Sequence, residues 1–423
     1  MLTRARAAVR RSGVMLVLIV VLGSPAALGD SAGSRLAPAD RLPAPDYDAG
    51  SGVAGREDWA LGPGRAETFR NIEEILPTRR VAPPATASVL RPATAPLAIR
   101  YEFRGRTYSL DDFVARTDTT ALLVLRGDRI LHEGYYRGAD RQDRFMSFSA
   151  GKSLTSTLVG LAIADGKIGS VEDPIVRYLP ELAGSAYEHA RIVDVLQMSS
   201  GTSYTEEYVN PDSDIARIVA IYSRGEGGAY DFARSFRPAR PPGQKFVYAS
   251  ADTEVLGALV ARVTGRSFSA YMSERLWQPI GAEAAARWIL DQPGSRGREM
   301  AMGGLQARLR DYGRFGQLFA NGGRVGALQL LPAGWVEAAT RPSAPHVDYG
   351  RVGEGDLGYG YQWWCIPGPH RAFTAEGIHG QFVMVDPVLK LVVVKLSSWR
   401  DAWDDEKAQE TLAFFSAVSA AQR

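Results

Sequence analysis

The chain has 423 residues, 45% of them apolar and 23% charged, with a formal net charge of +2. That length exceeds one average domain and allows a large core, and the composition is that of a globular enzyme rather than a disordered or fibrous chain. A balance this near neutrality argues against the basic field of a nucleic-acid binder.

The chain opens with a basic stretch, "MLTRARAAVRR", then a nine-residue apolar run, "VMLVLIVVL", then "ALG" before Asp30, which has the small-x-small form of a cleavage site. Residues 1–29 are therefore expected to be a signal peptide, and the protein to be exported, periplasmic or secreted. A stable bilayer-spanning helix needs about 20 apolar residues, so the run is short for a permanent anchor. No stable membrane insertion is expected after cleavage.

Residues 30–100 read as an N-terminal leader. Their first half is rich in Ala, Gly, Pro and Asp without an apolar period. "AETFRNIEEILPTRRV" then places Phe69, Ile72 and Ile75 on one helical face, and the proline-rich "APPATASVLRPATAP" breaks it. From residue 101 to 423 the pattern is continuous. "TALLVLRGDRILHEGYYRG" reads as a hairpin turned at Arg126-Gly127-Asp128. Helical signals dominate the middle. "GQFVMVDPVLKLVVVKLSSW" gives two more strands, turned at Asp386-Pro387, and "DEKAQETLAFFSAVSAA" a last helix. The fold class expected is mixed α+β, an antiparallel sheet built from both chain ends, flanked by helices, with a helical region inserted between.

Cys365, in "QWWCIPG", is the single cysteine, so no intrachain disulfide can form. Flanked by Trp364 and Ile366, it reads as a small buried hydrophobe. His132, His189, His346 and His370 are scattered without metal-ligand spacing. Neither metal nor cofactor is expected.

The stretch "SFSAGKSLTSTLVG" carries the chemistry. Leu154, Leu158, Leu161 and Ala162 recur at helical spacing and Asp165-Gly166 supplies a stop, which puts Ser149 at or near a helix start. Residues i and i+3 share a helix face, so the Ser149 hydroxyl and the Lys152 amine can enter one space. A serine hydroxyl needs a base to become a nucleophile. Lysine can be that base when burial or positive neighbours lower its pKa from about 10.4. The helix start also offers free N–H groups to an oxyanion. An ordinary capped helix with a solvated lysine fits the same four residues, so other positions must decide. "GDSAG" at residues 29–33 matches a G-x-S-x-G string but has no strand before it and no helix after it. It is assigned no function.

Taken together, "FSAGKS", "DVLQMSSGTSY", "FVYASADTEVLGALVARVTG", "GGLQARLRDYGRFGQL" and "EGIHGQFVMVDP" resemble, in order, the serine beta-lactamase and penicillin-recognising superfamily. The resemblance covers roughly residues 66 to 420. It lies on the class C and esterase side, with the 6-aminohexanoate-dimer hydrolases as the nearest look-alikes. It implies a beta-lactamase-like fold and an acyl-enzyme on Ser149, with Lys152 as its partner. It further implies Tyr248 of "YAS" in the proton relay, where a nearby ammonium would lower the phenol's pKa. The N–H groups of Ser149 and Ile378 would form the oxyanion hole, with Tyr208, His379 and Gly380 at the substrate.

Two departures qualify the resemblance. Ser250 stands where Tyr-x-Asn is common, and "GIHGQ" stands where lactamases carry Lys-Thr-Gly, so recognition of a beta-lactam or D-Ala-D-Ala carboxylate is put in doubt. The expected activity is hydrolysis of a small-molecule linear amide or carboxylic ester. A class C-type beta-lactamase or D-alanyl-D-alanine carboxypeptidase is the alternative within enzymes, and a non-catalytic penicillin-binding-like scaffold the alternative outside them.

Overall fold

The computed structural model describes Tyr47–Asp48 and residues 64–95, 97–353 and 355–422. The expected signal peptide, its cleavage site and "GDSAG" lie outside these residues. An eight-stranded sheet organises the main body. Its strands in chain order are β1 (Arg91–Pro92), β2 (Thr119–Arg126), β3 (Arg129–Tyr135), β4 (Gly358–Tyr359), β5 (Trp364–Cys365), β6 (Phe373–Gly377), β7 (Gln381–Asp386) and β8 (Leu391–Ser397). They lie in the order β4-β5-β6-β7-β8-β2-β3-β1. All pairs are antiparallel except β1 with β3. The two ends of the chain thus meet where β8 pairs with β2, and the helical region is the excursion between β3 and β4. The fold is mixed α+β, with the antiparallel sheet that the sequence pattern predicts.

Both faces of this sheet are covered, which explains why its central strands read as near-continuous apolar runs. Ala121, Leu123, Leu125, Val392 and Val394 face the larger core, whereas Leu122, Val124, Leu391 and Val393 face a second one. This is the period-2 alternation of a strand. Against the sheet and beyond it lie α1 (Leu110–Arg116), α2 (Gly151–Ala164), α3 (Asp214–Arg224), α4 (Ser250–Thr264), α5 (Leu309–Ala320) and α6 (Asp405–Ala421). Helix α1 begins with a capping box in which Ser109 and Asp112 satisfy each other's backbone N–H. Helix α6 closes the second core by stacking Phe414 on Phe113 of α1, with centroids 4.0 Å apart.

A smaller antiparallel sheet joins Tyr47–Asp48, Thr78–Val81, Ala286–Ile289, Leu305–Ala307 and Phe145–Met146. The amphipathic stretch expected around Phe69 forms no single helix. A short α-helix at Arg65–Thr68 is followed by a 3-10 turn at Ile72–Glu74. Phe69 and Ile72 are still buried, because the break lets both enter the larger core. The Phe69 carbonyl accepts from the Met146 N–H at 3.2 Å, and its ring meets Phe148 edge-on at 4.8 Å. Residues 64–81 therefore reach the turn that carries Ser149.

Removing a fully buried aromatic costs about 3–5 kcal/mol. Phe414→Ala is accordingly expected to destabilise the fold by that amount in urea unfolding while leaving the residues around Ser149 in place. A loss below about 1 kcal/mol would show that α6 is not held by this stack.

Candidate active site

Phe148–Ala150 form a 3-10 turn that runs straight into α2. Phe148 has φ 44°, a left-handed backbone that costs an aromatic residue of the order of 1–3 kcal/mol. Its surroundings hold it there. The Ser147 hydroxyl donates to the Phe148 carbonyl at 3.0 Å and to the Gly303 carbonyl at 3.1 Å. Gly303 is pressed so close that a Cβ would stand 2.7 Å from the Phe148 carbonyl carbon and oxygen. Ser149 is thereby presented at the mouth of α2.

Lys152 is 2% exposed. Its Nζ lies 2.8 Å from Ser149 Oγ and 2.9 Å from the Met302 carbonyl oxygen, and 5.1 Å from the centre of the Tyr248 ring. Burial lowers its pKa to about 8, against an upward pull from Glu206 and Glu254. The amine therefore exchanges its proton near neutral pH.

Tyr248 stands two residues before α4 and stacks on Trp364 of β5 at 5.8 Å. Its hydroxyl behaves opposite to the sequence expectation. Burial, then the charge of Glu206 and, more weakly, that of Glu376 raise its pKa, and hydrogen bonding with Ser149 only partly offsets them. The phenol stays protonated chiefly because it is buried, with the charge of Glu206 adding to the effect.

Tyr208 is 37% exposed and donates to Glu206 at 2.5 Å. Hydrogen bonding with Ser149 also acts on its hydroxyl, so the structure brings it to the nucleophile. Ser250, the third residue of "YAS", gives its N–H and its hydroxyl to Glu206 at 2.9 and 2.7 Å. The Glu206 carboxyl thus sits on the start of α4, the end where the helix dipole favours an acidic group.

Strand β6 ends beside the nucleophile. A Cβ on Gly377 would lie 3.1 Å from the Ser149 nitrogen and 2.5 Å from the Ser147 carbonyl oxygen, so only glycine allows this approach. Ile378 follows in the tight loop to β7. The Gln381 side chain donates to the Ile378 carbonyl at 3.3 Å and to Ser397 at 3.0 Å. Lys395, buried in β8, donates to the Gly380 carbonyl at 3.3 Å. His379 has φ 60° and is buried. Its Nδ1 lies 2.9 Å from the Trp399 carbonyl, and its ring is packed 5.2 Å from both Phe69 and Phe148. Burial pushes its pKa down to about 4, so it is neutral and Nδ1 is the donor. Gly380 lies under the Trp399 indole, which a Cβ would approach to 2.3 Å. The contacts of these two residues hold the loop rather than reach Ser149.

Three carboxyl groups escaped the sequence reading: Glu206, Glu254 and Glu376. Burial pushes Glu376 up to about 8, and its Oε1 has no hydrogen-bond partner among the described residues. Acidic residues inside otherwise apolar runs, as in "TEVLGALV" and "FTAEG", were the available signal.

A serine beside a buried lysine amine, with a protonated tyrosine next to both, forms a site suited to acyl transfer. The beta-lactamase family model matches residues 110–416. A 6-aminohexanoate-dimer hydrolase from Paenarthrobacter ureafaciens is 33% identical over 362 residues, which is 84% of this chain and 90% of that protein. Among solved structures, a Bacillus anthracis protein provisionally named a 6-aminohexanoate-dimer hydrolase superposes with a TM-score of 0.75 at 22% identity, covering 88% of this chain and 97% of that one. A family VIII carboxylesterase superposes at 0.57 with 18% identity, over 73% and 96%. The chain belongs to the beta-lactamase family and is a hydrolase.

A shift of about 1 Å at reacting atoms can cost about 10²-fold in rate. Gly377→Ala must push β6 away from the Ser149 turn, so a kcat loss of that order with an unfolding transition close to wild type is expected. Steady-state kinetics with thermal melting tests it, and undiminished kcat would show that the approach is unnecessary.

Proposed function

We propose that this protein is a serine hydrolase that cleaves a linear amide or carboxylic ester through an acyl-enzyme on Ser149. The observation that carries the reading is the 2.8 Å contact between Ser149 Oγ and a buried Lys152 amine titrating near pH 8.

As Oγ bonds to the substrate carbonyl carbon, the neutral Lys152 amine takes the serine proton. The resulting oxyanion is held by the N–H groups of Ser149 and Ile378. On collapse the C–N or C–O bond breaks, and the protonated Tyr248 gives its proton to the leaving group. The Lys152 ammonium, beside the Tyr248 ring, returns a proton to the phenolate. Water then enters with Lys152 again as base, which splits the ester to Ser149 and frees the acid. Tyr208 meets the leaving-group side of the substrate, a role supported by its partial exposure and its hydrogen bonding with Ser149.

Similarity to the 6-aminohexanoate-dimer hydrolase favours a linear amide, and the carboxylesterase likeness supports the same fold with ester chemistry. Beta-lactam recognition is less favoured. The segment beside the nucleophile reads "GIHGQ", without the lysine that would pair with a substrate carboxylate. The basic start and apolar run of residues 1–29 support an exported enzyme.

An activated fluorophosphonate is expected to add once, on Ser149, as mapped by peptide mass. Ser149→Ala should lose the adduct and hydrolysis of p-nitrophenyl esters and 6-aminohexanoate dimer while keeping its melting transition. Label elsewhere, or full turnover in Ser149→Ala, would remove the mechanism.

The base acts only when deprotonated. Activity is therefore absent well below the Lys152 pKa and rises as pH passes it. A kcat/KM profile climbing with a midpoint near pH 8 is expected, and a profile flat from pH 6 to 9 would exclude Lys152 as the base.

A further inference from the structure

Glu254 lies in the second turn of α4 and is 4% exposed. Both carboxylate oxygens are engaged. Oε1 accepts from the Met302 N–H at 3.0 Å, and Oε2 accepts from the Tyr222 hydroxyl of α3 at 2.7 Å. Met302 turns its own carbonyl to Lys152 Nζ at 2.9 Å. One residue therefore joins the carboxylate to the amine, with Glu254 behind and Lys152 in front.

The segment holding Met302 has little freedom. The Ala301 carbonyl accepts from Thr155 at 2.7 Å, Gly303 is wedged against Phe148, and the Leu305 carbonyl accepts from the Ser147 N–H at 2.8 Å. The segment is thus a backbone platform along the start of α2. Glu254 is the side chain that fixes its outer side.

We propose that Glu254 is a positioning residue for the hydrolytic reaction, setting through Met302 where the Lys152 amine stands and through its charge how readily that amine gives up its proton. This rests on the reading of Lys152 as the base. Other charged and titratable groups near Glu254 are already occupied. Asp291 accepts three backbone N–H groups, Glu299 is paired with Arg79, and Asp252 takes the Tyr187 and Ser200 hydroxyls. Tyr230 donates to Glu181, and Arg298 lies over the Tyr230 ring. Glu206, bonded to Ser250 and Tyr208, also pulls the Lys152 pKa up.

The sign of the charge effect follows. Burial raises Glu254 to about 7, so it is ionised where Lys152 titrates, and its negative charge favours the ammonium. Replacing it by a neutral amide lets the lysine lose its proton at lower pH. The two groups titrate as a pair.

The test uses the full chain and an activated ester. Glu254→Gln keeps an acceptor for the Met302 N–H, so it should melt within a few degrees of wild type. The rising limb of its kcat/KM profile should move about one unit to lower pH. Glu254→Ala also removes the anchor, so kcat should fall about tenfold or more with KM nearly unchanged. Tyr222→Phe, which strips one donor from the carboxylate and makes it harder to ionise, should move the limb the same way by less. It serves if either Glu254 variant does not fold. An unmoved limb in the folded variants overturns the proposal. Ser149→Ala, run alongside, separates the two readings: if it is inert while the limb stays put, only the role of Glu254 fails, and if it is active, the nucleophile reading fails as well.

Discussion

A lysine amine sealed from water, with neutral acceptors and an aromatic face in place of a paired carboxylate, is the constraint around which the site is built. An ammonium removed from water is costly unless it is bonded. Lys152 answers with Ser149 Oγ, the Met302 carbonyl and the Tyr248 ring. Because none of these is a full negative charge in contact, the amine can lose its proton near neutral pH. A surface lysine at the same spacing would stay charged and solvated. The depth of α2 in the protein is thus what turns a serine and a lysine into a nucleophile and its base.

That depth depends on backbone meeting backbone. Gly377 lets β6 touch the nitrogen of Ser149, and Gly303 lets the Met302 segment touch Phe148. Two rigid pieces, a sheet edge and a platform segment, therefore clamp a turn whose Phe148 is held in a strained conformation. Such strain persists only where the surroundings over-determine it. The loop after β6 is secured in the same manner by Gln381, Lys395 and the buried, neutral His379. Phe69, brought in from the N-terminal segment, packs on both His379 and Phe148. The nucleophile turn and the proposed oxyanion loop consequently share one apolar prop.

Electrostatically the site is ringed by acids. Glu206 caps α4, Glu254 sits behind Met302, and Glu376 is buried in β6. Glu206 and Glu254 favour the lysine's proton, and Glu206 and Glu376 add to the burial that keeps Tyr248 protonated. Tyrosine is thereby suited to donate a proton and lysine to accept one.

Much of this was written locally in the chain. The hairpins at Gly127 and after Asp386, the last helix and the start of α2 follow from period, turn residues and caps, which depend on neighbours in sequence. The Ser149–Lys152 pairing follows from the i, i+3 geometry of a helix, and the motif order pointed to Tyr248 and Ile378. Other properties depend on residues that meet only in the folded chain. The burial that lowers the Lys152 pKa comes from the Met302 segment and α4, about 150 and 100 residues away along the chain. The upward Tyr248 shift also comes first from burial, then from Glu206 and Glu376, which reach it from separate elements. Likewise, the breaking of the Phe69 stretch into two short turns and the placing of His379 and Gly380 beneath Trp399 were decided by packing. Spacing determines which side chains share a face, whereas desolvation and long-range charge depend on what the tertiary fold sets against that face.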